Sequence, residues 1–147
     1  MNRDFAEMLS ALSAAGVRFL IVGAHALAAH GAPRATGDLD IWIDATPENA
    51  AHVLAALRTF GAPLLDLSAA DLCTPETVFQ IGVPPARIDI LTSISGVEFG
   101  NAWSRRIEVP IGDLRIGTIG RTDFIANKKA LGRAKDLLDL ELLPPER

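Results

Sequence analysis

One seven-residue stretch constrains this chain more than any other. From Asp38 to Asp44 the residues alternate, with Asp38, Asp40 and Trp42 on one side and Leu39, Ile41 and Ile43 on the other. A period of two is the signature of a β-strand, and Asp38 and Asp40 project from the same face of it. Two carboxylates on one side of an otherwise apolar strand are costly, because like charges repel and burial raises their pKa values. A divalent cation removes both costs, and Mg²⁺ is a hard ion that prefers one or two carboxylates together with waters and substrate phosphates. A third carboxylate, Asp89 in the apolar run Ile88-Asp89-Ile90, would complete a two-metal site if its strand neighboured the first. It could then take the proton of an attacking hydroxyl. A plainer reading makes Asp38 a strand cap, places Asp40 on a solvated face and pairs Asp89 with Arg87, two residues away on the same side.

The rest of the chain supplies a scaffold for such a strand. Phe5, Met8, Leu9 and Leu12 form one helical stripe that Gly16 ends. Arg18 to Val22 is a short apolar strand closed by Gly23, and the alanine-rich run from Ala24 to His30 reads as a short helix capped by Gly31. Thr46-Pro47 predicts a helix start, with that helix running to about Phe60 before Gly61. Ser68 to Leu72 reads as one helical turn. Strands are expected over 77–81 and 87–92, and a short helix over 98–106. Two strands, 107–110 and 114–119, would flank a Gly112-Asp113 turn. Thr122 is expected to cap a helix reaching Leu131, Gly132 to break it, and a last helix to end near Leu143 before Pro144-Pro145. Helices and strands so mixed predict an α+β or α/β sheet flanked by helices.

With 147 residues, 49% of them hydrophobic, the chain is expected to form one domain over 1–147 with a core that needs no disulfide or structural metal. The single cysteine, Cys73, excludes a disulfide framework and a multi-thiolate zinc site and suits a reducing cytosol. The apolar stretches fall short of a membrane span, and the N-terminus lacks the solid apolar block of a signal peptide, so a cytoplasmic protein is expected. A net charge of −4 argues against a global nucleic-acid-binding surface. His25 and His30 lack a third His or Cys at ligand spacing. Trp42 and Trp103 read as packing residues. Lys128, Lys129, Arg133 and Lys135, opposite Asp136 and Asp139, read as a solvated helical surface laced with ion pairs.

Three segments in order carry a resemblance. They are Val22-Gly23-Ala24-His25-Ala26-Leu27-Ala28-Ala29-His30-Gly31-Ala32-Pro33-Arg34-Ala35-Thr36-Gly37-Asp38-Leu39-Asp40-Ile41, the strand around Asp89, and Asn127-Lys128-Lys129-Ala130-Leu131-Gly132-Arg133-Ala134-Lys135-Asp136-Leu137-Leu138-Asp139-Leu140. Over roughly residues 17–142 the chain resembles the nucleotidyltransferase superfamily of polymerase beta. It is most similar to the small bacterial branch of minimal nucleotidyltransferases and abortive-infection toxin enzymes.

The resemblance implies the nucleotidyltransferase fold and Mg²⁺-dependent transfer of a nucleoside monophosphate from an NTP to an acceptor. That acceptor would be an RNA end, a protein hydroxyl or a small molecule, and the setting a toxin–antitoxin pair with a partner protein. It makes Asp38, Asp40 and Asp89 the catalytic and metal-binding residues. The implied nucleotide-binding residues are Gly23 and Ala24 in the phosphate turn, Arg34 and Thr36 in the following loop, and Lys128 on the C-terminal helix. At most one of Lys128 and Lys129 can face the nucleotide, because adjacent helical residues point about 100° apart; Lys128 is the expected one. The branch commonly writes Gly or Ser where this chain has Ala24, which leaves only backbone N–H groups there. A second expectation follows, a catalytically weak or inactive module that acts through a partner. A haloacid-dehalogenase phosphatase is excluded, since Trp42 and Ile43 stand where that motif needs Thr.

Overall fold

The computed structural model describes residues 1–32 and 37–146. Six strands form one mixed sheet: β1 (Phe19–Val22), β2 (Leu39–Ile43), β3 (Val78–Ile81), β4 (Ile88–Leu91), β5 (Ile107–Ile111) and β6 (Leu114–Thr118), in the spatial order β3-β4-β2-β1-β6-β5. The helices are α1 (Arg3–Ala14), α2 (Gly23–Ala29), α3 (Pro47–Phe60), α4 (Phe99–Ser104), α5 (Arg121–Leu131) and α6 (Ala134–Leu142). β2 pairs antiparallel with β1 and parallel with β4, while β1 runs parallel to β6. The hairpins β3–β4 and β5–β6 form the two edges. The fold is α+β, as the mixture of periodicities predicts.

Strand alternation gives the sheet two unlike faces. Leu39, Ile41 and Ile43 join Phe19 and Ile21 of β1 and Ile88 and Ile90 of β4 on one side. They meet Phe5, Met8, Leu9 and Leu12 of α1 and Val53, Leu54 and Leu57 of α3. Each such side chain, fully buried, contributes about 1.5–3 kcal/mol. Each of the two helices that cover this face is capped by a side chain at its start. Asn2 Oδ1 accepts from the backbone N–H groups of Asp4 and Phe5, and Thr46 Oγ1 accepts from that of Asn49 beside Pro47 in the first turn.

The other face carries Leu20, Val22 and Trp42 against Ala26 and Leu27 of α2, Ala102 of α4 and Phe124 of α5. Trp42 packs edge-on to Phe99, with ring centroids 5.0 Å apart. Arg18 and Arg106 lie over the Trp103 ring at 4.8 and 3.9 Å, so both tryptophans are packing residues. β4 gives Leu91 to the margin of this cluster, and Leu91 and Asp89 also border a cleft.

Two local expectations change. The turn read at 68–72 is a single 3-10 turn, Asp71–Cys73. Thr122 caps nothing: α5 begins one residue earlier behind Gly120, which has no side chain to donate or accept. The negative group at that end is Asp123, buried in the first turn, where a carboxylate suits the helix dipole; it takes the Arg105 guanidinium at 2.7 and 3.0 Å.

Candidate active site

The parallel register of β2 with β4 sets Asp40 directly opposite Asp89, and Asp38 stands one residue before β2. All three line one cleft of about 640 Å³, whose walls also include Gly23, Arg87 and Lys128. Alternation is the cause. The residues of β2 and β4 that do not enter the α1/α3 core must face this way.

The cleft is electrostatically tense. Burial pushes the Asp40 carboxyl up to about 6, and repulsion from Asp89 and Asp38 adds to the rise; Lys128 and Arg87 act against it. Arg87 is the local answer. Its Nε and Nη2 donate to the two oxygens of Asp89 at 2.8 and 3.2 Å, and Nη2 lies 3.1 Å from Asp38 Oδ2. The Arg87–Asp89 pair anticipated from their spacing is therefore present. Its extension to Asp38 was not legible, because the partners lie on separate strands.

Gly23 sits at the junction of β1 and α2 with φ +68°, a left-handed conformation that side chains disfavour. A Cβ there would also collide with Asp40 Oδ2. Glycine at this turn thus lets the carboxylate approach the backbone. Ala24 follows as the second residue of α2 and is half-buried. Arg34 and Thr36, expected at the nucleotide, lie outside the described residues.

Lys128 and Lys129 part company on α5: Lys128 is buried and lines the cleft, and Lys129 is exposed. The helix is fastened to the loop after β4 by Asn127 Nδ2, which donates to the Ser95 carbonyl at 2.9 Å. The expectation of a solvated C-terminal surface is corrected here. Asp136 and Asp139 are 0% and 1% exposed, and Lys128 Nζ lies 3.3 Å from Asp136 Oδ1 and 3.1 Å from Asp139 Oδ2. Arg133 adds a 2.6 Å bond from Nε to Asp136 Oδ2. That bond first, and Lys128 next, hold the Asp136 carboxyl down to about 2. The i, i+3 spacing of the two aspartates put them on one helical face, but only the packing of α6 on α5 turns that face inward.

His25 and His30 serve packing and hydrogen bonding. His25 packs edge-on to Phe5 at 5.6 Å, and His30 Nε2 donates to the Ile119 carbonyl at 2.8 Å. Among the described residues, no three His, Cys, Asp or Glu side chains are gathered tightly enough to hold an ion as they stand; Arg87 engages two of the three cleft aspartates. The donor chemistry nevertheless fits a hard divalent cation. All three groups offer carboxylate oxygens, and the strain that raises Asp40 is what a bound dication would relieve. Among the described residues, no helix is long and apolar enough to cross a membrane.

No protein-family profile matches the chain, and no curated protein matches it. Solved structures do. One, from Thermotoga maritima, is described as a candidate nucleotidyltransferase; it superposes with a TM-score of 0.65 at 17% sequence identity, over 95% of this chain and 89% of that one. At that identity the likeness establishes a shared fold.

Proposed function

We propose that the chain is a divalent-metal-dependent nucleotidyltransferase that moves a nucleoside monophosphate from an NTP to an acceptor hydroxyl and releases pyrophosphate. The observation that carries this reading is the meeting of Asp38, Asp40 and Asp89 with Gly23 and Lys128 around one cleft. The fold shared with the Thermotoga maritima structure supports it. Asp38, Asp40 and Asp89 would hold Mg²⁺, which when bound neutralises triphosphate charge and favours in-line displacement.

The chain's own groups have separate tasks. Gly23 leaves Asp40 its place beside the β1–α2 turn, and the backbone N–H groups of Gly23 and Ala24 face the phosphates. Lys128, fixed by Asp136 and Asp139, presents a point charge to the triphosphate. Asp89 accepts the proton of the acceptor hydroxyl at a carboxylate oxygen. Arg34 and Thr36 belong to the same proposal through the family resemblance. The acceptor is an RNA end, a protein hydroxyl or a small molecule, the working unit is the single domain 1–147 in the cytoplasm, and its setting is a toxin–antitoxin pair.

The test is incubation with each α-³²P-labelled NTP and Mg²⁺, in the presence of total RNA or total protein. Label is expected on one acceptor pool, and its transfer is expected to be lost in Asp40→Asn. No labelled product from any NTP, with the protein folded and the metal present, overturns the enzymatic reading. One observation favours a second reading, an inactive module acting through a partner: Ala24 stands where the family's turn commonly offers a hydroxyl or a glycine. Binding of an NTP without transfer would select it.

A further inference from the structure

We infer that Arg87 is a built-in counter-ion that occupies the place of the divalent cation, so that metal binding at Asp38, Asp40 and Asp89 requires its displacement. The inference rests on the metal-dependent reading above and adds to it a residue that governs when the cleft accepts metal. The geometry is specific. One guanidinium spans carboxylates contributed by β4 and by the residue before β2, with contacts of 2.8 and 3.2 Å to Asp89 and 3.1 Å to Asp38. An arginine fork matches a carboxylate in two bonds at once, which a lysine cannot do. The oxygens so engaged belong to the donors that an octahedral Mg²⁺ would need. Asp40, by contrast, stands outside the fork, which takes Asp89 and Asp38.

The arrangement also accounts for the absence of a preformed metal cluster among the described residues. Two donors are held by a cation the chain supplies itself. A dication must break those charge-assisted bonds before it gains its own, so its affinity is lowered while Arg87 keeps its partners. A polyphosphate entering the cleft offers the guanidinium an alternative partner, which would tie metal loading to the arrival of the anionic substrate.

Mn²⁺ alone, without nucleotide, is the probe. Its binding to the full chain, to Arg87→Gln and to Lys135→Gln is measured by calorimetry and by the paramagnetic resonance of free Mn²⁺ at one ionic strength. Lys135 is exposed and lines the same cleft, so its replacement removes the same charge without freeing Asp38 or Asp89. Arg87→Gln is expected to bind Mn²⁺ about tenfold more tightly or better, and Lys135→Gln to stay within about twofold of the parent. Without metal, Arg87→Gln should melt below the parent, and Mn²⁺ should close that gap.

Equal gains in both variants would mean a general charge effect and would overturn the inference. An Arg87→Gln affinity equal to or below that of the parent would overturn it too, while leaving the metal site standing. Absence of Mn²⁺ binding in every form would remove both the inference and the metal-dependent reading. Should Arg87→Gln fail to fold, Arg87→Lys keeps the charge without the fork. Its affinity is expected above that of the parent, and a value at or below the parent's overturns the proposal.

Discussion

The two faces of this sheet are made from the same strands and differ in almost every physical respect. On one, Leu39, Ile41, Ile43, Ile88 and Ile90 are sealed under α1 and α3 with no charged group among them. On the other, the intervening residues include Asp40, Trp42 and Asp89; part of the surface is packed under α2, α4 and α5 and the rest is a charged cleft. The closed face is held by the hydrophobic effect. The open face is held by a network in which every charge depends on its neighbours. The difference shows that a cleft need not be cut into a core; the other half of a strand's alternation supplies it where charged residues take the apolar positions' place.

The sharpest challenge to that contrast is Lys128, which sits on the open side yet is as buried as a core residue. Lys128→Ala removes the ammonium that bridges the buried carboxylates of Asp136 and Asp139 and should cost about 3–5 kcal/mol, whereas Lys129→Ala should stay within about 0.5 kcal/mol; urea unfolding checks both. On the closed face, Ile41→Ala should cost about 2–5 kcal/mol from lost burial and the cavity left behind. It should leave divalent binding, measured on the folded fraction, unchanged.

Gly23→Ala should cost about 1–2 kcal/mol for the left-handed backbone alone. Because the new methyl displaces Asp40, it should also weaken divalent binding, which Ile41→Ala does not. A bulkier residue at this position would therefore disturb the fold as well as the cleft.

The mildest effect comes from pH. Asp136 titrates near 2 in the folded protein, below its usual value. Its contribution is therefore complete above about pH 4 and is lost as the pH falls from about 4 to about 2. Asp136→Asn should lower stability at neutral pH and flatten the acid limb of a pH–stability profile; an unchanged acid limb would count against the buried network.

Much of this was legible from residue order, and the missing parts share a cause. Period two in Asp38 to Asp44 fixed which side chains enter the core, and Thr46 marked a helix start, because these are local effects. The convergence of Asp89 with Asp40 was an expectation about strand adjacency, and the parallel β2–β4 pairing shows the two residues opposite one another. The third contact of Arg87, and the inward turn of Asp136 and Asp139, depend on elements distant in sequence. Charged residues near a C-terminus read as solvated until a neighbouring helix covers them. Thr122 misled for the opposite reason. A good capping residue was present, but the chain enters α5 two residues earlier, at Gly120.

The pairing of β2 with β4 has one more consequence, for misfolding. A slip of one residue between these strands would turn Asp89 into the α1/α3 interior and push Ile88 and Ile90 out to water. Only an even slip keeps the oil-filled side intact, and an even slip leaves Asp89 on the same face as Asp38 and Asp40. The chain therefore proofreads its cleft through its core: a molecule that has folded well enough to hide its isoleucines has already turned Asp89 to the side of Asp38 and Asp40.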